Sequence, residues 1–160
     1  MDDRDIRREL LDGPVASRLI AELQADFVVR YGGPDDNPTS PEEFAPPSGE
    51  FLVAYRGEEP LACGGFRRVD DTVAELKRMY VVSRARRTGV ARALLSALER
   101  SAAAMGYETM KLEAGTAQPE AIGFYTAAGY QPITGFGYYA AEPLSRSFSK
   151  VLGGSPSHRP

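Results

Sequence analysis

Six basic side chains and no acidic ones lie between Leu76 and Leu98: Lys77, Arg78, Arg84, Arg86, Arg87 and Arg92. The centre of this stretch reads Arg86-Arg87-Thr88-Gly89-Val90-Ala91 and leads directly into a segment whose apolar residues have helical spacing. A helix N-terminus exposes unpaired backbone N–H groups and the positive end of the helix dipole, and a glycine there lets an anion approach closely. The pattern therefore predicts a phosphate-binding turn, with a solvated basic surface as the alternative interpretation.

Other kinds of site find less support in the sequence. The turn matches neither GxxxxGK[ST] nor GxGxxG, which disfavours an NTPase and a dinucleotide enzyme. Cys63 is the only cysteine, and since no basic residue beside it would activate the thiol, we expect a buried structural role. The one histidine, His158, lies in the tail, which disfavours a metal site built from histidine and cysteine.

The elements that must position the turn follow from residue periodicity. Alternation and short apolar runs predict strands over Ile6–Leu11, Phe51–Tyr55, Leu61–Val69, Thr72–Val82, Thr109–Ala114, Tyr130–Ile133 and Ser145–Leu152. Helical spacing predicts helices over Val15–Tyr31, Val90–Met105 and Glu120–Ala128. Between the first helix and the second strand, Gly32–Gly49 reads as a long loop with one helical turn near Pro41–Phe44, and long ordered loops often cover a substrate. The order β-α-β-β-β-α-β-α-β-β predicts an α+β fold whose central strand–helix–strand unit is a parallel, right-handed crossover.

Length and composition limit the class of protein. At 160 residues we expect one domain over residues 1–152 and a disordered tail over 153–160. No run approaches the ~18 apolar residues that a membrane span requires, and we expect a cytoplasmic protein. Residues 1–60 carry 14 acidic and 6 basic side chains, whereas residues 61–160 carry 8 and 13. The overall pI of about 5.3 disfavours nucleic-acid binding, although one stretch is basic.

Two motifs together give the sequence a family resemblance. The first is Glu75-Leu76-Lys77-Arg78-Met79-Tyr80-Val81, followed by Arg86-x-x-Gly89-x-Ala91 and an amphipathic helix. The second is Gln118-x-x-Ala121-x-x-Phe124-Tyr125-x-x-x-Gly129-Tyr130. In this order and spacing they resemble the acetyl-CoA-binding signature of the GNAT acetyltransferases, over roughly Phe51 to Leu152. The resemblance implies the GNAT-like acyl-CoA N-acyltransferase fold, a mixed and mostly antiparallel sheet flanked by helices.

The resemblance also implies a cosubstrate, acetyl-CoA, and a role for individual residues. The backbone groups of Met79 and Val81 would hold the pantetheine arm, with an N–H of Met79 or Tyr80 facing the oxyanion. The cofactor-binding set implied by the family is Met79, Tyr80, Val81, Arg86, Arg87, Thr88, Gly89, Val90, Ala91, Arg92, Gln118 and Phe124. Tyr125 would protonate the leaving thiolate as general acid, with a core aromatic as the alternative.

The proton acceptor in this reaction is expected to be a carboxylate. Glu75 corresponds to a glutamate that serves as base in some members of the family, and a buried carboxylate with a raised pKa can take a proton from an amine. The alternative is that Glu75 only pairs with a cation on its own or a neighbouring strand. Glu113, on the next strand, is a second candidate.

The acceptor is expected to be a primary amine of a small molecule or peptide. Arg67 and Arg68 would favour an acceptor with a carboxylate, whereas the acidic loop around Asp35-Asp36 and Glu42-Glu43 would favour a cationic one. A homodimer is the expected assembly on general grounds. An acyl-CoA sensor without catalysis remains the alternative function.

Overall fold

A seven-stranded mixed sheet forms the centre of the computed structural model, which describes residues 5–153. Its strands are β1 (Ile6–Arg8), β2 (Glu50–Arg56), β3 (Glu59–Arg68), β4 (Val73–Val81), β5 (Thr109–Gly115), β6 (Gln131–Ile133) and β7 (Ser145–Val151). They lie in the order β1-β2-β3-β4-β5-β7-β6, and every neighbouring pair is antiparallel except β4 and β5. The predicted fold, with its parallel crossover at the centre, is confirmed.

Three helices flank this sheet: α1 (Pro14–Tyr31), α2 (Val90–Ala104) and α3 (Pro119–Ala127). Proline occupies the first turn of α1 and α3, where its missing N–H costs no hydrogen bond. Helix α2 buries one apolar stripe, which includes Leu94, Leu95 and Leu98, and packs on β2, β3 and β4. None of the helices within residues 5–153 is long and apolar enough to cross a bilayer.

Most predicted boundaries agree with the structure to within two residues, and the helical turn in the long loop spans Pro41–Phe44 as predicted. Strand β1 is shorter than the predicted Ile6–Leu11, since the chain turns after Arg8 to enter α1. A short 3₁₀ turn, Ser83–Ala85, was not predicted. The predicted disordered tail lies outside the described residues except for Gly153.

Strands β4 and β5 separate after a short parallel contact, and this separation creates the space for a site. They pair only through Val73–Thr109, Ala74–Met110 and Glu75–Lys111. Beyond these pairs β4 continues to Val81 and β5 to Gly115 with no partner between them. The backbone groups of β4 on this side are therefore left unpaired by the sheet.

A bulge in β4 marks the point where the strand enters this space. Cys63 pairs with Tyr80 but Gly65 pairs with Lys77, so β4 carries one extra residue opposite Gly64. Arg78 in the bulge has φ 61°. A Cβ on Gly64 would lie 2.3 Å from the Met79 sulfur, so any other residue opposite the bulge would force Met79 to move.

Candidate active site

The N-terminus of α2 is an uncapped helix end beside a turn with two left-handed residues. Arg87 has φ 63° and Gly89, the N-cap residue, has φ 86°. No side chain caps this end, so the first N–H groups of the helix lack intramolecular partners. A Cβ on Gly89 would meet nothing within 4 Å, which shows that the space in front of the helix is open. This geometry suits an anion such as a phosphate.

Three guanidinium groups surround that helix end. Arg86 donates from Nε to the carbonyl of Val81 at 3.2 Å, which fixes its direction. Within the described part of the chain, Arg87 and Arg92 form no salt bridge. Their positive charge is available to a bound anion, in addition to the dipole of α2.

A cleft of about 630 Å³ opens from this turn along the free side of β4, and we call it the outer cleft. Ten of the twelve residues predicted to bind the cofactor line it: Met79, Tyr80, Val81, Arg86, Arg87, Gly89, Ala91, Arg92, Gln118 and Phe124. The other two do not line it with their side chains. Thr88 donates its hydroxyl hydrogen to the carbonyl of Ala85, and the Val90 side chain is buried in the core.

The backbone of β4 presents alternate residues to the outer cleft. The N–H of Val82 donates to Leu61 of β3 at 2.9 Å, so the groups of Val82 face β3. Because backbone groups alternate in direction along a strand, the N–H and C=O of Val81 and Met79 face the cleft. An extended ligand lying there would find the donors and acceptors of a missing strand.

A second, smaller space of about 80 Å³ adjoins the outer cleft, and we call it the inner cavity. Apolar side chains of α1, β4, β5 and α3 line it, and its polar lining residues are Asp35, Lys77, Arg78, Glu113, Gln118 and Tyr125. Tyr125 and Gln118 line both spaces, so they lie at the junction between them.

Tyr125 is a nearly buried phenol whose ring is held on two sides. It packs edge-to-face against Phe124 and Tyr130, with ring centroids 5.2 and 5.7 Å away. Burial raises the pKa of the phenol, so it stays protonated at neutral pH. Its hydroxyl has no hydrogen-bond partner among residues 5–153. A protonated, unengaged hydroxyl at the junction is suited to donate a proton to a bound group.

Glu113 is the carboxylate that lines the inner cavity together with Tyr125. Its Oε2 accepts the backbone N–H of Tyr139 at 2.8 Å, whereas its buried Oε1 has no partner among the described residues. Burial raises the pKa of this carboxyl, and the Tyr139 N–H offsets only part of that effect.

Glu75 also has a buried oxygen, Oε2, with no partner among the described residues, but its surroundings differ. Its Oε1 lies 3.2 Å from Nε of Arg67, the residue opposite it on β3, and Glu75 lines neither the outer cleft nor the inner cavity. The sequence analysis gave this ion pair as the alternative to a role of Glu75 as the base. The geometry therefore favours Glu113 over Glu75 as the proton acceptor, and the assignment of either stays a prediction.

Arg67 and Arg68 also do not line these spaces. The guanidinium of Arg67 is engaged by Glu75, Glu43, the carbonyl of Pro38 and the side chain of Asn37. Arg68 pairs with Asp71 on the surface. Both guanidinium groups serve to hold loops in place, and neither is placed to bind an acceptor.

An ion cluster around Asp35 closes the inner cavity and was not predicted. Asp35 Oδ2 lies 2.5 Å from Nη1 of Arg78 and 3.3 Å from Nζ of Lys77. Its Oδ1 accepts the Tyr139 hydroxyl at 2.7 Å and the N–H of Asn37 at 3.0 Å. The loop composition indicated a possible lid, but no sequence signal linked Asp35 to Tyr139, 104 residues away.

The separated parallel strands, the open helix end and the two adjoining spaces define an acyl-CoA-dependent transferase. Residues 17–130 match the model of the "Acetyltransferase (GNAT) family". The "IAA acetyltransferase" of Azospirillum brasilense is 32% identical over 136 residues, covering 84% of this chain and 89% of the relative.

Solved structures share the fold. A protein of Klebsiella pneumoniae assigned as an acyl-CoA N-acyltransferase superposes with a TM-score of 0.77 and 28% identity, covering 92% of this chain and 96% of the other. A GNAT family acetyltransferase of Elizabethkingia anophelis, solved with acetyl-CoA bound, gives a TM-score of 0.66 at 14% identity over 92% and 97% of the two chains.

The chain belongs to the GNAT acetyltransferase family. Acetyl-CoA is the cosubstrate of this family, and the protein is an acetyl-CoA-dependent N-acetyltransferase. The resemblance that the sequence motifs indicated is confirmed.

Proposed function

We propose that the protein transfers an acetyl group to the primary amine of a small molecule or peptide, by direct transfer while both substrates are bound. The observation that carries this proposal is the position of Tyr125 between two spaces. One space has the features of a cofactor site, and the other holds a carboxylate with a free, buried oxygen. A direct transfer requires an acid on one side of the reacting carbon and a base on the other.

The open helix end of α2 suits the pyrophosphate of the cosubstrate. The N–H groups of Gly89, Val90 and Ala91 would hold it, with the charges of Arg87 and Arg92 nearby. The groups of Met79 and Val81 that face the outer cleft would bind the extended arm. When bound there, acetyl-CoA supplies an activated acyl group as a thioester.

Two proton transfers then take place at the junction between the two spaces. Glu113, through Oε1, would take a proton from the amine directly or through a water molecule. The N–H of Met79 faces the outer cleft and would stabilise negative charge on the carbonyl oxygen. Tyr125, held protonated by burial, would donate its proton to the departing sulfur.

The test is Tyr125→Phe, assayed by thiol release from acetyl-CoA across a panel of amines. The ring contacts to Phe124 and Tyr130 persist in the variant, and no hydrogen bond is lost, so folding is unaffected. We expect kcat to fall by about 10²-fold or more, the range for loss of a general acid. Coenzyme A affinity, measured by calorimetry, should change less than about twofold.

Two outcomes would contradict the proposal. Unchanged turnover in Tyr125→Phe would remove the phenol from the proton transfer. Tight coenzyme A binding with no thiol release for any amine, in the unaltered protein, would favour the acyl-CoA sensor instead.

A further inference from the structure

Lys77 is a buried cation in the wall of the inner cavity. Its side chain is only 7% exposed, although it carries an ammonium group. Burial lowers the pKa of this ammonium, and the negative charges of Asp35 and Glu75 offset part of the effect. A lysine is almost never buried to this degree without a full set of partners.

The partners of Lys77 among residues 5–153 are incomplete. An ammonium group has three donors, and the one acceptor bound to Nζ is Asp35 Oδ2 at 3.3 Å. That same oxygen is held more closely by Arg78 at 2.5 Å, and the other oxygen of Asp35 by Tyr139 and Asn37. The negative charge of Asp35 is thus shared with Arg78, which binds it more closely. The Lys77 ammonium therefore has N–H groups that no acceptor among the described residues binds.

We propose that Lys77 binds a carboxylate of the acceptor, so that the acetylated substrate is an amino acid or a closely related amino-carboxylate. This inference rests on the proposed amine acetylation and names its substrate class. The carboxylate of this substrate supplies the oxygens that can accept hydrogen bonds from the Lys77 ammonium. The amine of the same molecule would then lie in the cavity that Glu113 and Tyr125 also line.

The size of the inner cavity agrees with a small acceptor. Its 80 Å³ corresponds to roughly six water molecules at about 10–15 Å³ each. A small amino acid has a comparable number of non-hydrogen atoms. A long polyamine or an aminoglycoside is larger than this space and would extend into the adjoining outer cleft.

The charges around the cavity disfavour a cationic acceptor. In the acidic loop that suggested one, Asp35 faces Lys77 and Arg78 and Glu43 pairs with Arg67, whereas Asp36 and Glu42 point to solvent rather than line the cavity. A polycation in the cavity would be repelled by the buried ammonium of Lys77.

The experiment compares amino acids with the amines that lack only the carboxyl group. The probes are alanine with ethylamine, leucine with isoamylamine, and phenylalanine with phenethylamine. Each is assayed for thiol release from acetyl-CoA with the unaltered protein and with Lys77→Met. Calorimetry with the corresponding N-acetyl amino acids measures binding without any reaction.

We expect the unaltered protein to prefer at least one amino acid over its amine by about 10- to 100-fold in kcat/KM, the range for a hydrogen bond to a charged group. In Lys77→Met this preference should disappear, mainly through a higher KM, and binding of the N-acetyl amino acid should weaken to the same degree. Turnover of the plain amine, which has no carboxylate for Lys77 to bind, should fall much less than turnover of the amino acid.

Folding is controlled separately. Met is unbranched like Lys and one atom shorter, and Asp35 keeps Arg78, Tyr139 and Asn37 as donors, so the Tm of Lys77→Met should stay within a few degrees. Lys77→Gln is the second variant if Met lowers the Tm. Lys150→Met, which removes an ammonium paired with Glu99 at 2.9 Å, is the matched control and should leave the preference intact.

The possible failures are distinct. Turnover of amines with no preference for any amino acid, or a preference that survives in Lys77→Met, overturns the role of Lys77 while the acetyltransferase proposal stands. Absence of turnover for every probe and every amine counts against the proposed function itself.

Discussion

Burial has opposite chemical consequences for the two side chains that we propose to transfer protons. It raises the pKa of Glu113, which makes this carboxylate a stronger base, and it raises the pKa of Tyr125, which keeps this phenol protonated. A base whose pKa lies closer to the working pH accepts a proton more readily from an amine. One physical effect, desolvation, therefore makes the carboxylate a stronger base and keeps the phenol in the protonated form that the proposed transfer requires.

The first prediction concerns Glu113→Gln. The amide cannot accept a proton from the amine, so we expect kcat/KM to fall by about 10²-fold or more. In the unaltered enzyme activity should fall as the pH decreases through the raised pKa of Glu113, because the protonated carboxyl is no longer a base. The pH profile of kcat/KM for the variant should lose this acidic limb.

The matched control for that experiment is Glu75→Gln, which keeps an oxygen that can accept a hydrogen bond from Arg67. We expect the acidic limb to persist in this variant. If the limb instead vanishes in Glu75→Gln and persists in Glu113→Gln, then Glu75 is the base that the family resemblance implied.

At this scale the sequence ranked Glu75 first, through the family resemblance, and Glu113 second, and it could not show which of them lines a cavity. Local alternation placed Glu75 and Glu113 on strands, but which of them lines a cavity depends on how β4 and β5 separate. The unsuspected partners, Arg67 for Glu75 and Tyr139 for Glu113, come from other parts of the chain. Their pairing depends on tertiary structure and has no short-range pattern.

The helix end of α2 supports the next prediction, made with two variants of Gly89. Both Gly89→Ala and Gly89→Glu strain the backbone at φ 86°, at a cost of about 1–2 kcal/mol of stability. Only Glu adds a negative charge in the open space before the helix. We expect Gly89→Glu to abolish coenzyme A binding in calorimetry, whereas Gly89→Ala should bind with modestly reduced affinity. Equal affinities for the two variants would show that no anion binds there.

The bulge in β4 supports a prediction about stability. In Gly64→Ala the new Cβ would lie 2.3 Å from the Met79 sulfur and 3.2 Å from Leu98, so Met79 must shift. Overpacking of this kind costs about 1–3 kcal/mol, to be measured by urea denaturation. The matched control is Gly123→Ala in α3, where the Cβ meets nothing and a helical alanine should add about 0.5–1 kcal/mol. Equal stabilities would mean that the bulge adapts without strain.

Sequence patterns were most informative about individual helices and strands. Apolar spacing predicted α2 and its glycine start, because a buried stripe and an N-terminal glycine are local features. The sequence did not indicate that β7 lies between β5 and β6, since strand order reflects pairing over long distances. Nor did it indicate where β4 and β5 part, which depends on the packing of side chains from α1 and α3.

For the whole molecule, the cluster around Asp35 joins three distant segments of the chain. Asp35 lies in the loop after α1, Lys77 and Arg78 lie on β4, and Tyr139 lies in the loop before β7. Tyr139 also donates its N–H to Glu113 and accepts the N–H of Asp36. The loops that cover the inner cavity are thus fastened to the sheet through one carboxylate, and its charge should matter for the stability of the entire fold.

The last prediction follows from the charge of Asp35. Burial alone would raise the pKa of this carboxyl, but Lys77, the N–H of Asn37 and Arg78 together lower it below its usual 3.8. The unfolded chain therefore binds a proton at a higher pH than the folded protein does. The stabilisation is fully present above pH 3.8 and is lost as the pH falls through the lowered pKa.

Asp35→Asn should therefore lower the free energy of unfolding by about 3 kcal/mol at pH 7, because two buried cations lose their counter-charge. The difference between the variant and the unaltered protein should shrink as the pH is lowered below 3.8, when the unaltered protein also loses the charge. Urea denaturation at a series of pH values measures this. The neighbouring Asp36→Asn, at an exposed side chain, should change stability by less than about 0.5 kcal/mol at every pH. The test extends to about pH 3, roughly one unit below the usual carboxyl pKa. If the difference in the free energy of unfolding between Asp35→Asn and the unaltered protein stays constant over this range, then the charge of Asp35 does not stabilise the attachment of the loops.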